Sequence, residues 1–326
     1  MSICGEFRRV AAVLESGLPL VREPFSAAAE VLGVPERVLT DAVAAMTGSG
    51  LIRRFGAFFD LRLLGYRGYL FGADAGRYPG ELVSILSKAG NVTHIYGRRH
   101  VLSLWFTALA GSGKEARDIC RVLRSRGHSF VALETSRMIK LRPSFAGEGS
   151  APVPQGAPRI PVPDETRCSD VDLETVRALQ CLEMSRRPFA LAARKAGMTE
   201  DELIRRAGSL MERGVLRRIG ASLDHGRAGW TANSLCACAV RGSDDDISRA
   251  AREVVSQLPW ASHCYLRRIF DCEFDADWIY NLYIMIHARS WDDIEERGRF
   301  LKGAVKCEDF VSMRTTEEYK KSSYKI

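Results

Sequence analysis

Two short stretches of the chain carry the same arrangement of side chains that can exchange protons and hold anions. The stretch "NVTHIYGRRH" occupies residues 91–100, and "ASHCYLRRIF" occupies residues 261–270. Each places a small polar residue, a histidine, a tyrosine and two arginines in the same order. Histidine donates protons near neutral pH or coordinates iron. Arginine stays protonated and binds carboxylates through two parallel hydrogen bonds. The cluster is therefore suited to an anionic ligand that takes part in proton transfer.

The histidines of the chain are concentrated in such motifs. The sequence has six, and four of them belong to the two clusters or to the apolar stretch that follows the second one. A fifth lies in "LDHGRAGW", two residues before Arg227. Any one of them is readily explained as a hydrogen-bonded structural histidine, but their grouping favours a site. The candidates are His94, His100, His225, His263 and His287.

Paired arginines recur in four places, and each pair has two interpretations. One is a clamp for carboxylates, and the other is a solvated face or a structural ion pair. The pairs are Arg53 with Arg54, Arg98 with Arg99, Arg217 with Arg218, and Arg267 with Arg268. Tyrosines and large apolar residues of the same stretches can contact a ligand or pack in the core: Tyr96, Tyr265, Trp105, Phe106 and Tyr283.

The clusters recur because the chain consists of two similar halves. Residues 24–66 align with residues 188–230 without a gap, and 14 of these 43 positions are identical. Between the copies lies "AGEGSAPVPQGAPRIPVPDET", residues 146–166, whose five prolines exclude a helix and favour an extended tether. We expect the two halves to pair with each other.

Each copy predicts two kinds of domain. The first part reads as short helices with a tight turn at Gly33 or Gly197, followed by a short strand, which is a helix-turn-helix outline. The second part reads strand, helix, strand, strand, helix, strand, which is the ferredoxin-like order, with last strands near 130–140 and 308–316. The predicted fold is α+β, a helix-turn-helix and a ferredoxin-like βαββαβ domain in each repeat. The expected domains are 1–60, 61–145, 167–224 and 225–326, with the linker at 146–166.

Composition limits the environment of the protein. The net charge is +7 and the pI about 9.0, which suits nucleic acid, a membrane surface or a polyanionic small molecule without choosing among them. No apolar run approaches the roughly 18 residues of a membrane span, and the first residues lack a signal-peptide core, so we expect a cytoplasmic protein. The nine cysteines are expected to be reduced, with Cys236 and Cys238 packed in the core.

The layout resembles the leucine-responsive and asparagine-regulator transcription factors, which implies DNA binding by the helices and dimerisation by the sheets. The second helices of the two outlines argue against this use. Residues 35–46 and 199–211 each carry a net charge of −1, whereas a reading helix enters a groove lined with phosphates. Neither helix offers an evident Asn, Gln or Lys that could read bases, and Arg205 and Arg206 remain as candidate readers. Specific duplex DNA binding is therefore not expected.

Five motifs are more similar to a different branch, the siroheme decarboxylases. They are "GLIRRFGAFFDLRLLGY", "VTHIYGRRHVLSLWFT", "SHCYLRR", "YNLYIMIHA" and "RTTEEYKKS". This family has two related subunits or their fusion. The sequence departs from the family pattern at Leu102-Ser103, Arg268, Ile279 and Ala288, and in the insert "IFDCEFDAD".

The resemblance implies a substrate and a reaction. Siroheme is an iron tetrapyrrole with eight carboxylates, and the family removes CO2 from two of its acetate arms to give didecarboxysiroheme. No cofactor separate from the substrate is implied, because the iron arrives with it. The resemblance leaves open whether fused chains form a homodimer. A DNA-binding regulator and a tetrapyrrole-binding protein without turnover remain alternatives.

The expected site combines proton donors with clamps, and the second half has the richer set. The catalytic candidates are His263, His225, Tyr265 and His94, and His225 or His263 is the candidate ligand of the siroheme iron. The substrate-binding candidates are Arg53, Arg54, Arg98, His100, Arg217, Arg218, Arg267, Asn281, Tyr283 and His287.

Overall fold

The computed structural model describes residues 3–76, 79–141, 170–274, 278–324 and 326. These residues fall into two compact units. The first unit takes its described residues from 1–65 and 144–228, with Ile326, and the second takes them from 66–143 and 229–324. The tether predicted over 146–166 lies outside the described residues, and the predicted domain boundaries stay predictions.

The first unit contains the helical parts of both repeats. The first repeat supplies α1 (Ile3–Ser16), α2 (Pro24–Leu32), α3 (Glu36–Gly48), β1 (Ile52–Phe59) and a 3₁₀ helix (Leu61–Leu64). The second supplies α6 (Asp170–Gln180), α7 (Pro188–Lys195), α8 (Glu200–Glu212) and β6 (Leu216–Leu223). Helix α2 begins with Pro24 in its first turn and ends at Gly33, whose φ of 66° is the left-handed conformation that glycine adopts without strain. The apolar faces of both repeats share one core.

Strands β1 and β6 form a two-stranded antiparallel ribbon in which the repeated glycines face each other. Gly56 lies opposite Gly220 in the register. A Cβ on Gly56 would lie 2.6 Å from the carbonyl oxygen of Gln180, and a Cβ on Gly220 would meet that of Leu14. The glycines therefore allow the last turns of α6 and α1 to lie directly on the ribbon.

The second unit contains both βαββαβ repeats. The first repeat is β2 (Arg67–Ala73), α4 (Gly80–Lys88), β3 (Val92–Arg98), β4 (Leu104–Ala110), α5 (Gly113–Ser125) and β5 (Phe130–Leu141). The second is β7 (Ala232–Ala239), α9 (Asp244–Ser256), β8 (Ala261–Cys272), β9 (Leu282–Ala288), α10 (Trp291–Ala304) and β10 (Asp309–Lys321). This element order, with the helical pairs of the first unit, confirms the predicted fold class.

The strands of the second unit close into a barrel in the order β10-β3-β4-β2-β5-β8-β9-β7. Each repeat supplies four adjacent strands, and the repeats join where β5 pairs with β8 and where β10 pairs with β3. Strand β10 is longer than predicted because its first part pairs with β7 and its second part with β3. Closure leaves neither four-stranded sheet with an open edge. It also places β3 and β8 four strands apart, on opposite sides of the ring.

Alternation along the strands separates two kinds of core. One face of each sheet packs against its own helices, around Phe71, Ile95 and Phe106 in the first repeat and around Cys236, Cys264 and Ile284 in the second. The other face points into the barrel, where Trp105, Trp278 and Tyr283 form part of a third cluster. The expectation that Cys236 and Cys238 are core residues is confirmed. None of the described helices is long and apolar enough to cross a membrane.

Candidate functional site

The two His-x-Tyr-x-Arg stretches line the inside of the barrel. Tyr96 lies opposite Trp105 in the register of β3 and β4, and Tyr265 lies opposite Tyr283 in that of β8 and β9. Because directly opposed residues of an antiparallel pair share a face, and side chains alternate along a strand, the histidines and arginines two positions away point the same way. Each of the two stretches therefore contributes one histidine, one tyrosine and one arginine to the barrel interior.

The two clusters have nearly the same geometry. The rings of His94 and Tyr96 stack with centroids 6.1 Å apart at 26°, and those of His263 and Tyr265 at 6.2 Å and 24°. The Arg98 guanidinium lies 5.2 Å from the Tyr96 ring, and that of Arg267 lies 4.8 Å from the Tyr265 ring. These contacts hold each arginine in place by a cation–π interaction.

Arg98 and Arg267 are buried cations. They are 4% and 6% exposed. Arg98 donates to the carbonyl oxygen of Met313 (3.1 Å) and to the hydroxyl of Thr315 (2.9 Å), and Arg267 donates to the hydroxyl of Thr135 (2.8 Å). Burial lowers the pKa of each guanidinium to about 10, so both stay charged at neutral pH.

Neither arginine has an anionic partner among the described residues. Within that part of the chain the Nε–H groups of Arg98 and Arg267 donate no hydrogen bond, and no carboxylate pairs with either guanidinium. An unpaired buried charge is costly, because the low-dielectric interior does not replace the water that solvates the ion. The positive charges of the two buried guanidiniums therefore favour the binding of an anion inside the barrel.

In the second half a serine links two histidines. The hydroxyl of Ser262 lies 2.7 Å from Nδ1 of His263 and 2.9 Å from Nε2 of His287. Burial, with the nearby charges of Lys321, Lys140 and Arg267, lowers the pKa of His263 to about 4. Burial, with His263 and nearby cations, lowers the pKa of His287 to about 3. Both rings are therefore neutral at pH 7 in the unliganded protein.

The first half has threonines where the second has this histidine pair. Nδ1 of His94 lies 2.9 Å from the hydroxyl of Thr93 and 3.3 Å from that of Thr107. The two hydroxyls lie 2.9 Å apart. The two clusters thus share their histidine, tyrosine and arginine but differ in the groups that bind the histidine.

The depressed pKa values of His263 and His287 predict an acid-sensitive barrel. The unfolded chain binds protons at these residues as the pH falls below about 6.5, whereas the folded protein does so only near pH 4 and pH 3. The free energy of unfolding should therefore be fully retained above pH 6.5 and fall below it, by up to about 2 kcal/mol per histidine between pH 7 and pH 5.

Urea unfolding followed by tryptophan fluorescence measures this change, because residues 105, 230, 260, 278 and 291, the five tryptophans, all belong to the barrel unit. The variant His287→Asn should lose about half of the pH dependence. A free energy of unfolding that is the same at pH 5 and pH 7 would contradict the assignment of neutral, buried histidines.

Three other candidates of the barrel unit have local structural partners. Asn281 bridges the backbone of Val240, donating to its carbonyl oxygen (2.8 Å) and accepting from its N–H (3.1 Å). The Tyr283 hydroxyl accepts from the Trp278 indole (2.8 Å), and burial raises its pKa. His100 accepts from the backbone N–H of Leu102 (3.1 Å). Their predicted role in substrate binding stays a prediction.

The arginines of the first unit surround the β1–β6 ribbon. Arg54 donates to the carbonyl oxygen of Gln180, and Arg218 to that of Glu15. Both guanidiniums lie over the ring of Phe58, at 4.5 Å and 3.7 Å. Because these carbonyls end α6 and α1, the two arginines interact favourably with the negative ends of the helices. The repeated arginines Arg54 and Arg218 thus have a structural role. Their predicted role as carboxylate clamps stays a prediction.

The remaining candidates of the first unit are Arg53, Arg217 and His225. Arg53 is exposed. Arg217 pairs with the buried carboxylate of Asp60 at 2.5 Å. Hydrogen bonds and charges from Arg62 and Arg217 outweigh burial and hold the pKa of Asp60 at about 2. His225 lies in the turn after β6 and is partly buried. Arg53, Arg217 and His225 all belong to the first unit. The candidates that the structure brings together in the barrel of the second unit are His94, Arg98, His263, Tyr265, Arg267 and His287.

The second helices of the helix-turn-helix outlines carry arginines in ion pairs. On α8, Arg206 bonds to Glu202 at 2.5 Å, and on α3, Arg37 pairs with Asp41 at 3.5 Å. Asp201 of α8 pairs with Arg22 at 2.6 Å. In these pairs the arginines bind carboxylates of the protein, whereas the cations of a DNA-reading helix bind phosphates or bases. The lack of specific DNA binding stays a prediction.

Sequence reasoning missed the hydroxyl groups that bind the site histidines. Thr93 and Ser262 each precede the histidine of their cluster, so the small polar residue common to the two stretches was the available signal. Thr107 carried no such signal, because only the pairing of β3 with β4 brings it next to His94.

Comparison with protein families matches two models. The AsnC-like ligand binding domain matches residues 227–320. The siroheme decarboxylase NirDL-like HTH domain matches residues 8–53 and 182–217. The second match covers parts of both helix-turn-helix outlines, in agreement with the internal repeat.

Relatives of the chain carry the same family name. It is 29% identical over 321 residues to the siroheme decarboxylase of Hydrogenobacter thermophilus, which covers 97% of this chain and 93% of the relative. It is 31% identical to the siroheme decarboxylase NirH subunit of Paracoccus pantotrophus over 49% of this chain and 98% of the relative.

Solved structures agree with these relatives. The crystal structure of the siroheme decarboxylase NirDL superposes with a TM-score of 0.71 at 26% identity, covering 98% of this chain and 94% of the other. The NirDL complex with an iron-uroporphyrin III analogue superposes with a TM-score of 0.70 at 25% identity, with the same coverage.

Proposed function

The chain belongs to the siroheme decarboxylase family, and we propose that it removes CO2 from two acetate side chains of siroheme to give didecarboxysiroheme. It acts as a carbon–carbon lyase of heme biosynthesis. We further propose that it uses no cofactor separate from its substrate, since the iron is part of siroheme.

One observation of the structure supports this function above the others, namely the two buried arginines for which the described part of the chain offers no anionic partner. Siroheme carries eight carboxylates, and a planar guanidinium binds a carboxylate through two charge-assisted hydrogen bonds. Arg98 and Arg267 lie on opposite sides of the barrel. Each contacts the ring of the tyrosine two positions before it on its own strand. In the proposal each holds a carboxylate of the substrate, and the bound carboxylate provides the missing counter-charge.

The reaction needs a proton and no electron acceptor. In each decarboxylation the bond between the methylene carbon and the carboxyl carbon breaks. CO2 leaves, the electron pair stays with the macrocycle side, and one added proton completes a methyl group. Each arm therefore consumes one proton, and neither carbon fragment exchanges electrons with an outside partner. A positioned proton donor is what the protein must supply.

His263 is the proposed donor, with Tyr265 next to it. Nδ1 of His263 is bonded to Ser262, so Nε2 is the ring nitrogen that can reach a ligand. His263 is neutral in the unliganded protein, in a surrounding of cations that include Lys321, Lys140 and Arg267. Carboxylates of the substrate neutralise this surrounding and thereby favour protonation of the ring. His94, in the equivalent position of the first half, completes the pocket.

Anaerobic incubation of the purified protein with siroheme under reducing conditions tests the proposed function. Mass spectrometry should find a product lighter by two CO2 units, without an added oxidant. Absorption titration of the same sample reports whether siroheme binds. Bound siroheme of unchanged mass would overturn the proposal in favour of a tetrapyrrole-binding protein without turnover.

A further inference from the structure

We infer that Ser262 is a positioning residue for His263, and that it makes the second half the one that delivers protons. This inference rests on the decarboxylation proposed above. It concerns a residue that does not itself touch the substrate but fixes a ring that does.

Ser262 is 1% exposed, and its hydroxyl lies between two histidines. Its hydroxyl lies 2.7 Å from Nδ1 of His263 and 2.9 Å from Nε2 of His287. A hydroxyl has one hydrogen and two lone pairs, so Ser262 donates to one acceptor only, either a histidine nitrogen or the carbonyl oxygen of Met285 at 3.5 Å, and it accepts from a histidine N–H. The protonation states of the two rings are therefore linked through Ser262.

The linkage determines which nitrogen of His263 faces the substrate with a hydrogen. When His263 is protonated for proton transfer, its Nδ1–H donates to Ser262 and its Nε2–H faces the substrate, while Ser262 can donate its own hydrogen to Nε2 of the neutral His287. A neutral His263 that keeps its hydrogen on Nδ1 presents only a lone pair to the substrate. The same bond also fixes the ring plane, which stacks on Tyr265 with an interplanar angle of 24°. Such orientation of a catalytic histidine by its second nitrogen is a general requirement for directed proton transfer.

The first half lacks the second histidine of this arrangement. Thr93 takes the position of Ser262 and bonds to Nδ1 of His94 at 2.9 Å, but its other partner is the hydroxyl of Thr107, also at 2.9 Å. The Thr107 hydroxyl lies 3.3 Å from Nδ1 of the same His94, so these two threonines connect His94 to hydroxyls that do not titrate near neutral pH, in the place where Ser262 connects His263 to His287. The two clusters therefore bind carboxylates alike and differ in proton supply.

The substitution Ser262→Ala tests the inference in single-turnover decay of siroheme by the full chain. The rate should fall about 10- to 100-fold, the scale expected when a reacting group is misplaced. The dissociation constant of siroheme should stay within about twofold. Ser262→Thr should restore most of the rate, since threonine takes this position in the first half. The matched variant Thr93→Ala should lower the rate clearly less than Ser262→Ala does.

Three results would overturn the inference. The first is a wild-type rate for Ser262→Ala, and the second is an equal loss for Thr93→Ala. A loss of rate with a proportional loss of siroheme affinity, which Ser262→Thr fails to restore, would assign Ser262 to packing and would also overturn it. If Ser262→Ala does not fold, His287→Asn takes its place, and a wild-type rate with normal binding has the same meaning. A wild-type protein that binds but does not convert siroheme refutes the proposed function itself, which distinguishes the two failures.

Discussion

Replacing Arg98 or Arg267 by methionine is expected to weaken siroheme binding about 10- to 150-fold while leaving the unliganded protein at least as stable as the wild type. The loss of affinity corresponds to roughly 1.5–3 kcal/mol, the contribution of a hydrogen bond to a charged group. Stability should not fall, because each buried guanidinium lacks an anionic partner among the described residues. Removing such a charge in favour of an apolar side chain of similar length is neutral or stabilising by a few kcal/mol.

The opposite signs of the two effects separate a ligand clamp from a structural arginine. A structural arginine would lose stability and affinity together. Siroheme titration and urea unfolding of the free protein supply the two measurements. The neighbouring Arg268 is the matched control, since it is exposed and pairs with Asp244 at 2.6 Å, and Arg268→Met should change siroheme affinity by less than twofold. If the Arg98 and Arg267 variants unfold more easily and still bind siroheme normally, the barrel clamps are wrong.

Changing His263 to alanine is expected to lower the single-turnover rate about 10²- to 10⁴-fold, the usual contribution of general acid catalysis. The affinity for siroheme should change little, because the proposed clamps are intact. His94→Ala is the matched variant, since His94 has the same strand position and ring stacking but is bonded to threonines. It should cost clearly less than His263→Ala.

The masses of the products distinguish the ways in which this prediction can fail. Accumulation of a species lighter by one CO2 in each variant would mean that each half treats one acetate arm. A normal rate for His263→Ala with a large loss for His94→Ala would transfer the chemistry to the first half. Normal rates for both variants would remove the barrel histidines from the reaction.

Local sequence patterns made the helices and strands of each repeat predictable. They did not predict how the two repeats pair with each other. Helical spacing, a left-handed glycine at the turn and strand alternation are local properties, and the structure reproduces the elements that they indicate. The closure of two sheets into one barrel depends on edges that are distant in sequence, as for Leu133 and Ile269, which pair although they are 136 positions apart. Periodicity specifies which face of a strand is buried but not which edge it meets.

The candidate site was predictable to the level of the cluster and not to the level of each arginine. The recurrence of histidine, tyrosine and paired arginine identified each cluster, and the pairing of β3 with β4 and of β8 with β9 showed that one side chain of each type points into the barrel. By contrast, Arg54 and Arg218 looked like clamps because they repeat, yet the same repetition serves to hold the carbonyl ends of α6 and α1. A residue type that binds carboxylates and carbonyls equally well cannot be assigned from sequence. Burial and partners decide, and both come from the tertiary structure.

The structure of the protein with siroheme bound tests the central claim most directly. We expect carboxylates of the macrocycle within hydrogen-bond distance, about 2.7–3.0 Å, of the guanidiniums of Arg98 and Arg267, with one acetate arm near Nε2 of His263. Siroheme whose carboxylates are held by Arg53, Arg54, Arg217 and Arg218 alone, with both barrel arginines still lacking an anionic partner, would contradict the claim.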